Sequence, residues 1–237
     1  ADAQEQAVQK VLRIYSPDML HNNEIFHQFL IEKVKIPYQQ DGYERSYEVA
    51  LIDFSHPSNN EFLVVNQYTI IENNQNKRPD ILLFVNGIPI VLIELKNAAD
   101  ENATIRKAFD QIQTYKVTIP RLFTYNAVCI ISDGMDCRAG SVSAGFSRYM
   151  TWKSADGKKE ASRFIPQLEI LITGMLNLTT LLDLVRNFII FEKSKKKDPK
   201  TGITQVETEK KLAAYHQYYA VNKAVENTLK AASANGN

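Results

Sequence analysis

The stretch RPDILLFVNGIPIVLIELKN, Arg78 to Asn97, is almost wholly aliphatic, yet Asp80 stands near its front and Glu94 and Lys96 near its back. A charge on a buried strand is costly unless it is paired or holds an ion, so these groups are either solvated strand tips or a site. Asn86-Gly87, between two apolar runs, is a strong hairpin signal. Folding the segment there brings Asp80 back toward the end of the second strand. Glu94 and Lys96, two residues apart, point to one face.

Loop length then decides the chemistry. A strict two-residue Asn86-Gly87 loop pairs Asp80 with Ile93 and sends the two carboxylates to opposite faces. An odd-numbered loop or a bulge aligns them on one face, and we expect such an irregularity. Aligned, Asp80 and Glu94 supply hard oxygen ligands for Mg²⁺, which keeps most of its waters and takes substrate phosphate as a further ligand. The Leu95 backbone carbonyl, between them, can turn to the same ion. Lys96 is a compact cation suited to orient the attacking water and to stabilise charge growing on a phosphorane. The chemistry is metal-assisted phosphodiester hydrolysis; the bland alternative is an Asp that caps a turn and a solvated Glu-Lys strand end.

Around this hairpin the chain alternates in period. AQEQAVQKVLRIY, with Val8, Val11, Leu12 and Tyr15 at helical spacing, and NNEIFHQFLIEK, capped by Asn22 or Asn23, predict helices ended by Pro17 and before Pro37. SYEVALIDF and EFLVVNQYTIIE read as strands separated by the turn SHPSNN. ATIRKAFDQIQTYKV is a helix with an Ile105, Phe109, Ile112 stripe, stopped by Pro120 and followed by the strand AVCIISDG. Strand, helix, strand implies a crossover. QLEILITGML and TTLLDLVRNFIIF, the latter capped by Thr179 or Thr180, add helices; EKSKKKDPKTG reads as a charged linker and VETEKKLAAYHQYYAVNKAVENTLKAAS as a long helix or helix pair.

At 237 residues, 44% hydrophobic and 23% charged, the chain has ample material for a core. A net charge of +1 announces no global basic field, although a local patch can still grip phosphate. Cys129 and Cys137 are too few for a disulfide framework, which points to a reducing, cytoplasmic setting, and the apolar runs fall short of a membrane span. His21, His27, His56 and His216 lack zinc-ligand spacing. GFSRYMTWKSADGKK interleaves Arg148, Tyr149, Trp152 and Lys153, a mixture suited to nucleic-acid backbone and stacking contacts, though a solvated loop explains it equally well.

Pro79-Asp80 followed by Glu94-Leu95-Lys96 resembles the PD-(D/E)xK nuclease superfamily. With IDFSHPSNNEFLVVNQYTI, AFDQIQTY and YHQYYAVNKAV, the resemblance narrows to the nuclease domain of the restriction (motor) subunit of type I restriction-modification enzymes and covers most of the chain. It implies that Asp80 and Glu94 bind the divalent metal, that Lys96 is the catalytic lysine, and that Gln111 and Tyr115 form the family's QxxxY element, supporting the hairpin or touching DNA. Gln217, in AAYHQYY, would read adenine in the full-length motor. No G-x-x-x-x-G-K-[ST] is present, so ATP binding is expected only of a longer protein. Family members usually carry a further acidic helix upstream, for which Glu24 and Glu32 are stand-ins here.

The expected architecture is α/β: a mixed sheet flanked by helices, with a restriction-endonuclease-like core and a helical C-terminal extension. The expected division is a nuclease domain over 1–192, made of an N-terminal helical region (1–36), a sheet core (about 43–140) and helices (164–192). A charged linker and helical lead-in to a helicase motor then occupy 193–237. The implied activity is Mg²⁺-dependent cleavage of double-stranded DNA after ATP-driven translocation, in the cytoplasm, alongside methyltransferase and specificity subunits. The rival is a non-catalytic DNA-binding or docking module on a degenerate nuclease fold.

Overall fold

A computed structural model of the chain describes residues 3–97, 104–197, 202 and 204–233. Helices α1 (Ala3–Leu12) and α2 (Met19–Glu32) lead into a ribbon, β1 (Val34–Gln40) and β2 (Tyr43–Val49), whose Val34 and Ile36 enter the core while its far end is exposed. Strand β3 (Phe62–Asn66) is followed by a short ribbon, β4 (Ile70–Glu72) and β5 (Gln75–Lys77), then by the hairpin β6 (Ile81–Val85) and β7 (Ile88–Leu95). Helices α3 (Ile105–Thr118) and α4 (Arg121–Tyr125) cross to β8 (Val128–Ser132), which turns into β9 (Cys137–Gly140). Helices α5 (Gln167–Gly174) and α6 (Leu178–Asn187), the ribbon β10 (Ile189–Lys197) and β11 (Thr204–Leu212), and α7 (Tyr215–Ala232) complete the described chain.

The central sheet has five strands in the order β3-β6-β7-β8-β9. All neighbours are antiparallel except β7 and β8, which are parallel and joined through α3 and α4, as parallel pairing requires. The architecture is therefore the expected α/β one. Ile90 to Ile93 in β7 are at most 4% exposed, because helices cover both faces there. Val91, Ile93, Val128 and Ile130 pack with α1, α2, α5 and α6; Leu82, Leu92, Cys129 and Ile131 pack under α3 and α4. Full burial of each such aliphatic contributes about 1.5–3 kcal/mol.

Several local expectations are corrected. Asp18, not Asn22 or Asn23, caps α2, accepting from the Leu20 and His21 amides; both asparagines are buried inside the helix. The buried residues of α1 are Ala7 and Val11, joined by Ile14 just past its end, whereas Val8, Leu12 and Tyr15 are exposed. Asn177, not a threonine, caps α6, which ends at Asn187 so that Ile189-Ile190-Phe191 begins a strand. The expected linker is β10 as far as Lys197; its Asp198 to Thr201 portion lies outside the described residues, as do Ala103 and the last four residues. Val206 to Leu212, read as helix, is paired strand, and helix begins at Tyr215. The division expected at residue 193 falls within β10. Tyr149 and Trp152, both 3% exposed, are core residues and unavailable for stacking on bases.

Lys210 on β11 is 1% exposed, its ammonium donating at 2.8 Å to both Asn23 Oδ1 and the Asn126 carbonyl. Burial pulls its pKa down to about 7. The same lysine ties the β10–β11 ribbon to α2 and to the start of β8.

Candidate active site

The hairpin turns at Asn86 and Gly87, both with positive φ (50° and 77°), the left-handed pair that a two-residue loop requires. The Asn86 side chain fastens this turn, accepting from the Glu61 amide and donating to the Leu51 carbonyl and Asn60 Oδ1. Two-residue closure alone would set Asp80 opposite Ile93. The ladder runs Val85↔Ile88 and Phe84↔Pro89, skips Ile90, and resumes at Leu83↔Val91 and Ile81↔Ile93. The expected irregularity is thus a bulge at Ile90, whose carbonyl accepts from the Ala127 amide at 2.7 Å just before β8. Past the bulge Asp80 shares a face with Leu82, and Glu94 with Leu92, and both faces are the α3 side.

Asp80 Oδ2 accepts from the Leu95 amide at 2.8 Å and Oδ1 from Gln67 Nε2 at 2.7 Å. Glu94, only 3% exposed, accepts from Lys96 Nζ at 2.8 Å on Oε1 and from the Tyr115 hydroxyl at 3.2 Å on Oε2. Burial pushes the Glu94 carboxyl above its ordinary value and the neighbouring Asp80 charge adds to this, while Lys96 and Tyr115 pull it back. Tyr115 is raised as well, by burial first and then by Glu94, so its hydroxyl stays a donor. Gln111, one turn earlier on α3, is a hydrogen-bonding neighbour of that hydroxyl.

Each carboxylate oxygen accepts one hydrogen bond and keeps a further lone pair. Two hard, mutually repelling carboxylates beside the Leu95 peptide form a donor set that fits a divalent cation such as Mg²⁺. Among the described residues no group of three His, Cys, Asp or Glu side chains is clustered, so the set is this pair of acids.

Asp80, Glu94, Leu95, Lys96, Gln111 and Tyr115 are therefore brought together. Other candidates lie elsewhere. Glu24 on α2 pairs with Lys193 at 2.9 Å, and Glu32 is exposed at the end of the same helix. Arg148 is exposed on a short 3-10 turn. Lys153 faces Glu160 at 3.6 Å and the Tyr215 ring. Gln217 accepts from the Ala214 amide as an N-terminal cap of α7. The residue that reading by sequence missed is Gln67, thirteen positions before Asp80; no motif spacing marks it, and only the antiparallel pairing of β6 with β3, Asn66 opposite Ile81, brings it there.

A five-stranded mixed sheet between helices, with two acids and a lysine at the end of its central hairpin, defines an α/β protein of the restriction-endonuclease-like class. The family model for the type I restriction enzyme R protein N terminus matches residues 1–148, and the chain belongs to that family. It is 42% identical, over 92% of its length, to the type I restriction enzyme HindI endonuclease subunit of Haemophilus influenzae, covering 20% of that protein. It is 32% identical, over 51% of its length, to the type I restriction enzyme SsaAORF53P endonuclease subunit of Staphylococcus saprophyticus, covering 12% of it. The chain thus spans about a fifth or less of the curated relatives it matches. No single helix among the described residues is long and apolar enough to cross a membrane.

Proposed function

We propose that this chain is the Mg²⁺-dependent endonuclease domain of a type I restriction motor subunit and cuts double-stranded DNA. The observation that carries the reading is the bulged hairpin, which sets Asp80 and Glu94 on one face with Lys96 2.8 Å from Glu94. Asp80, Glu94 and the Leu95 carbonyl would hold Mg²⁺, which when bound polarises the phosphoryl oxygen and lowers the pKa of water. Lys96, with its side chain one-quarter exposed, reaches from the buried Glu94 toward solvent. There its ammonium orients the attacking water and stabilises charge developing on the phosphate. Lys96 and Tyr115 hold the Glu94 carboxylate against its own burial, with Gln111 beside the Tyr115 hydroxyl. Arg148 and Lys153, both exposed, are candidate phosphate contacts.

In the full-length subunit, an ATP-driven motor would translocate DNA, with Gln217 available to adenine. Methyltransferase and specificity subunits of the same cytoplasmic complex would supply recognition, and cleavage would follow away from the recognition site. The names of the relatives support this reading.

The test is plasmid nicking by the full-length subunit in its assembled complex, Asp80→Ala beside wild type. The variant is expected to translocate but not cut. Equal cutting by both proteins would reject the assignment and return the hairpin to a non-catalytic module.

A further inference from the structure

Gln67 closes the base of an excursion, residues 68–79, that carries the β4–β5 ribbon and returns the chain at Asp80. Its backbone amide donates to the Asp80 carbonyl at 2.9 Å, and its side-chain amide donates to Asp80 Oδ1 at 2.7 Å. The first bond continues the β3–β6 pairing, in which Asn66 lies opposite Ile81; the second reaches the Asp80 carboxylate itself.

With the Leu95 amide on Oδ2 and Gln67 on Oδ1, both oxygens are held and the plane of the carboxylate is set before any ligand arrives. Both donors are neutral amides, whereas a lysine or arginine at position 67 would bring a cation of its own to the carboxylate. Gln67 also takes φ of +52°, a left-handed conformation disfavoured for a residue bearing a Cβ. Such a conformation persists where surrounding bonds over-determine it, and those bonds here are the two to Asp80.

We propose that Gln67 is a positioning residue for the metal-binding carboxylate of Asp80. It orients one ligand through a neutral hydrogen bond, as donors behind metal ligands do elsewhere, where their loss weakens metal affinity about 10–100-fold. This rests on the assignment of Asp80 to a divalent metal.

The experiment measures Mn²⁺ binding to the full-length subunit by titration calorimetry, and plasmid nicking by the assembled complex as a function of Mn²⁺. The proteins are wild type, Gln67→Met, Gln67→Asn and Asp80→Ala. Gln67→Met keeps the length of the side chain and removes the donor. Gln67→Asn withdraws the amide by one methylene and tolerates the left-handed backbone, so it carries the test if the methionine variant misfolds. Both should bind Mn²⁺ about 10–100-fold more weakly, with nicking restored toward the wild-type maximum by excess metal. Asp80→Ala should lose the binding event and stay inactive at every concentration. Wild-type affinity in the folded Gln67 variants, or cutting lost at unchanged affinity, overturns the proposal while leaving the Asp80 site intact. Wild-type binding by Asp80→Ala removes the site itself, and Gln67's role with it.

Discussion

The Tyr115 hydroxyl donates to Glu94 Oε2 across 3.2 Å, joining the last turn of a crossover helix to the end of the strand that precedes it. Tyr115 is 4% exposed, so the bond is made where water is excluded and each partner depends on the other. Tyr115→Phe keeps the ring in place and leaves the buried carboxylate with Lys96 as its remaining side-chain donor. A hydrogen bond to a charged group is worth about 1.5–3 kcal/mol. We expect cutting by the assembled complex to fall about tenfold or more with only a small change in thermal midpoint. A midpoint that collapses along with activity would make Tyr115 a packing residue instead.

Asn86 supports the hairpin turn through its φ of +50° and three side-chain hydrogen bonds to the segment around residues 51–61. Asn86→Ala loses all three bonds and adopts the left-handed region less readily; we expect about 2–4 kcal/mol of destabilisation in urea unfolding. Asn86→Gly restores the backbone but not the bonds and should fall between the two. Equal stability of the glycine and alanine variants would place the whole effect in the lost hydrogen bonds.

His27 sits against the Phe191 ring and near the Lys210 ammonium; burial first, then that positive charge, pulls its pKa from 6.5 to about 4. The folded state therefore holds His27 neutral where the unfolded chain would protonate it. Stability should be intact above pH 6.5 and fall by about 3 kcal/mol as pH drops to 4. Unfolding free energy against pH should lose this slope in His27→Leu. Lys210 acts in the next window with the same sign: neutral in the fold above about 7, it should let stability rise on the alkaline side until the unfolded chain also deprotonates. Lys210→Met should flatten that second limb, and an unaltered limb would mean that the ammonium is solvated.

The hairpin was legible because Asn-Gly between two apolar runs is a local signal, and the stripe on α3 was legible because helical spacing is local too. The ribbon β10–β11 was not. Its lysines and glutamates have weak strand propensity, and what holds them is the backbone ladder from Ile189↔Leu212 to Lys197↔Thr204, with the exposed ion pairs Lys196–Glu207 and Lys211–Glu192 across it and Lys210 anchored under α2. Asn22 and Asn23 have the chemistry of caps, but Asp18 starts α2 one turn earlier, and Asn23 is spent instead on the Phe123, Thr124 and Asn126 carbonyls.

By itself the sequence determined where the turn lies, which side chains bear charge at the strand ends, and that Glu94 and Lys96 share a face, because each of these follows from chain-neighbour geometry. Which face Asp80 takes was decided by tertiary structure alone: the Ile90 carbonyl bonds the Ala127 amide, and that bond to a distant strand sustains the bulge. The Gln67 and Tyr115 bonds to the two acids were decided in the same way. Their partners meet only once sheet and helix have packed, and no local pattern encodes a contact whose free energy is realised after the chain has closed around it.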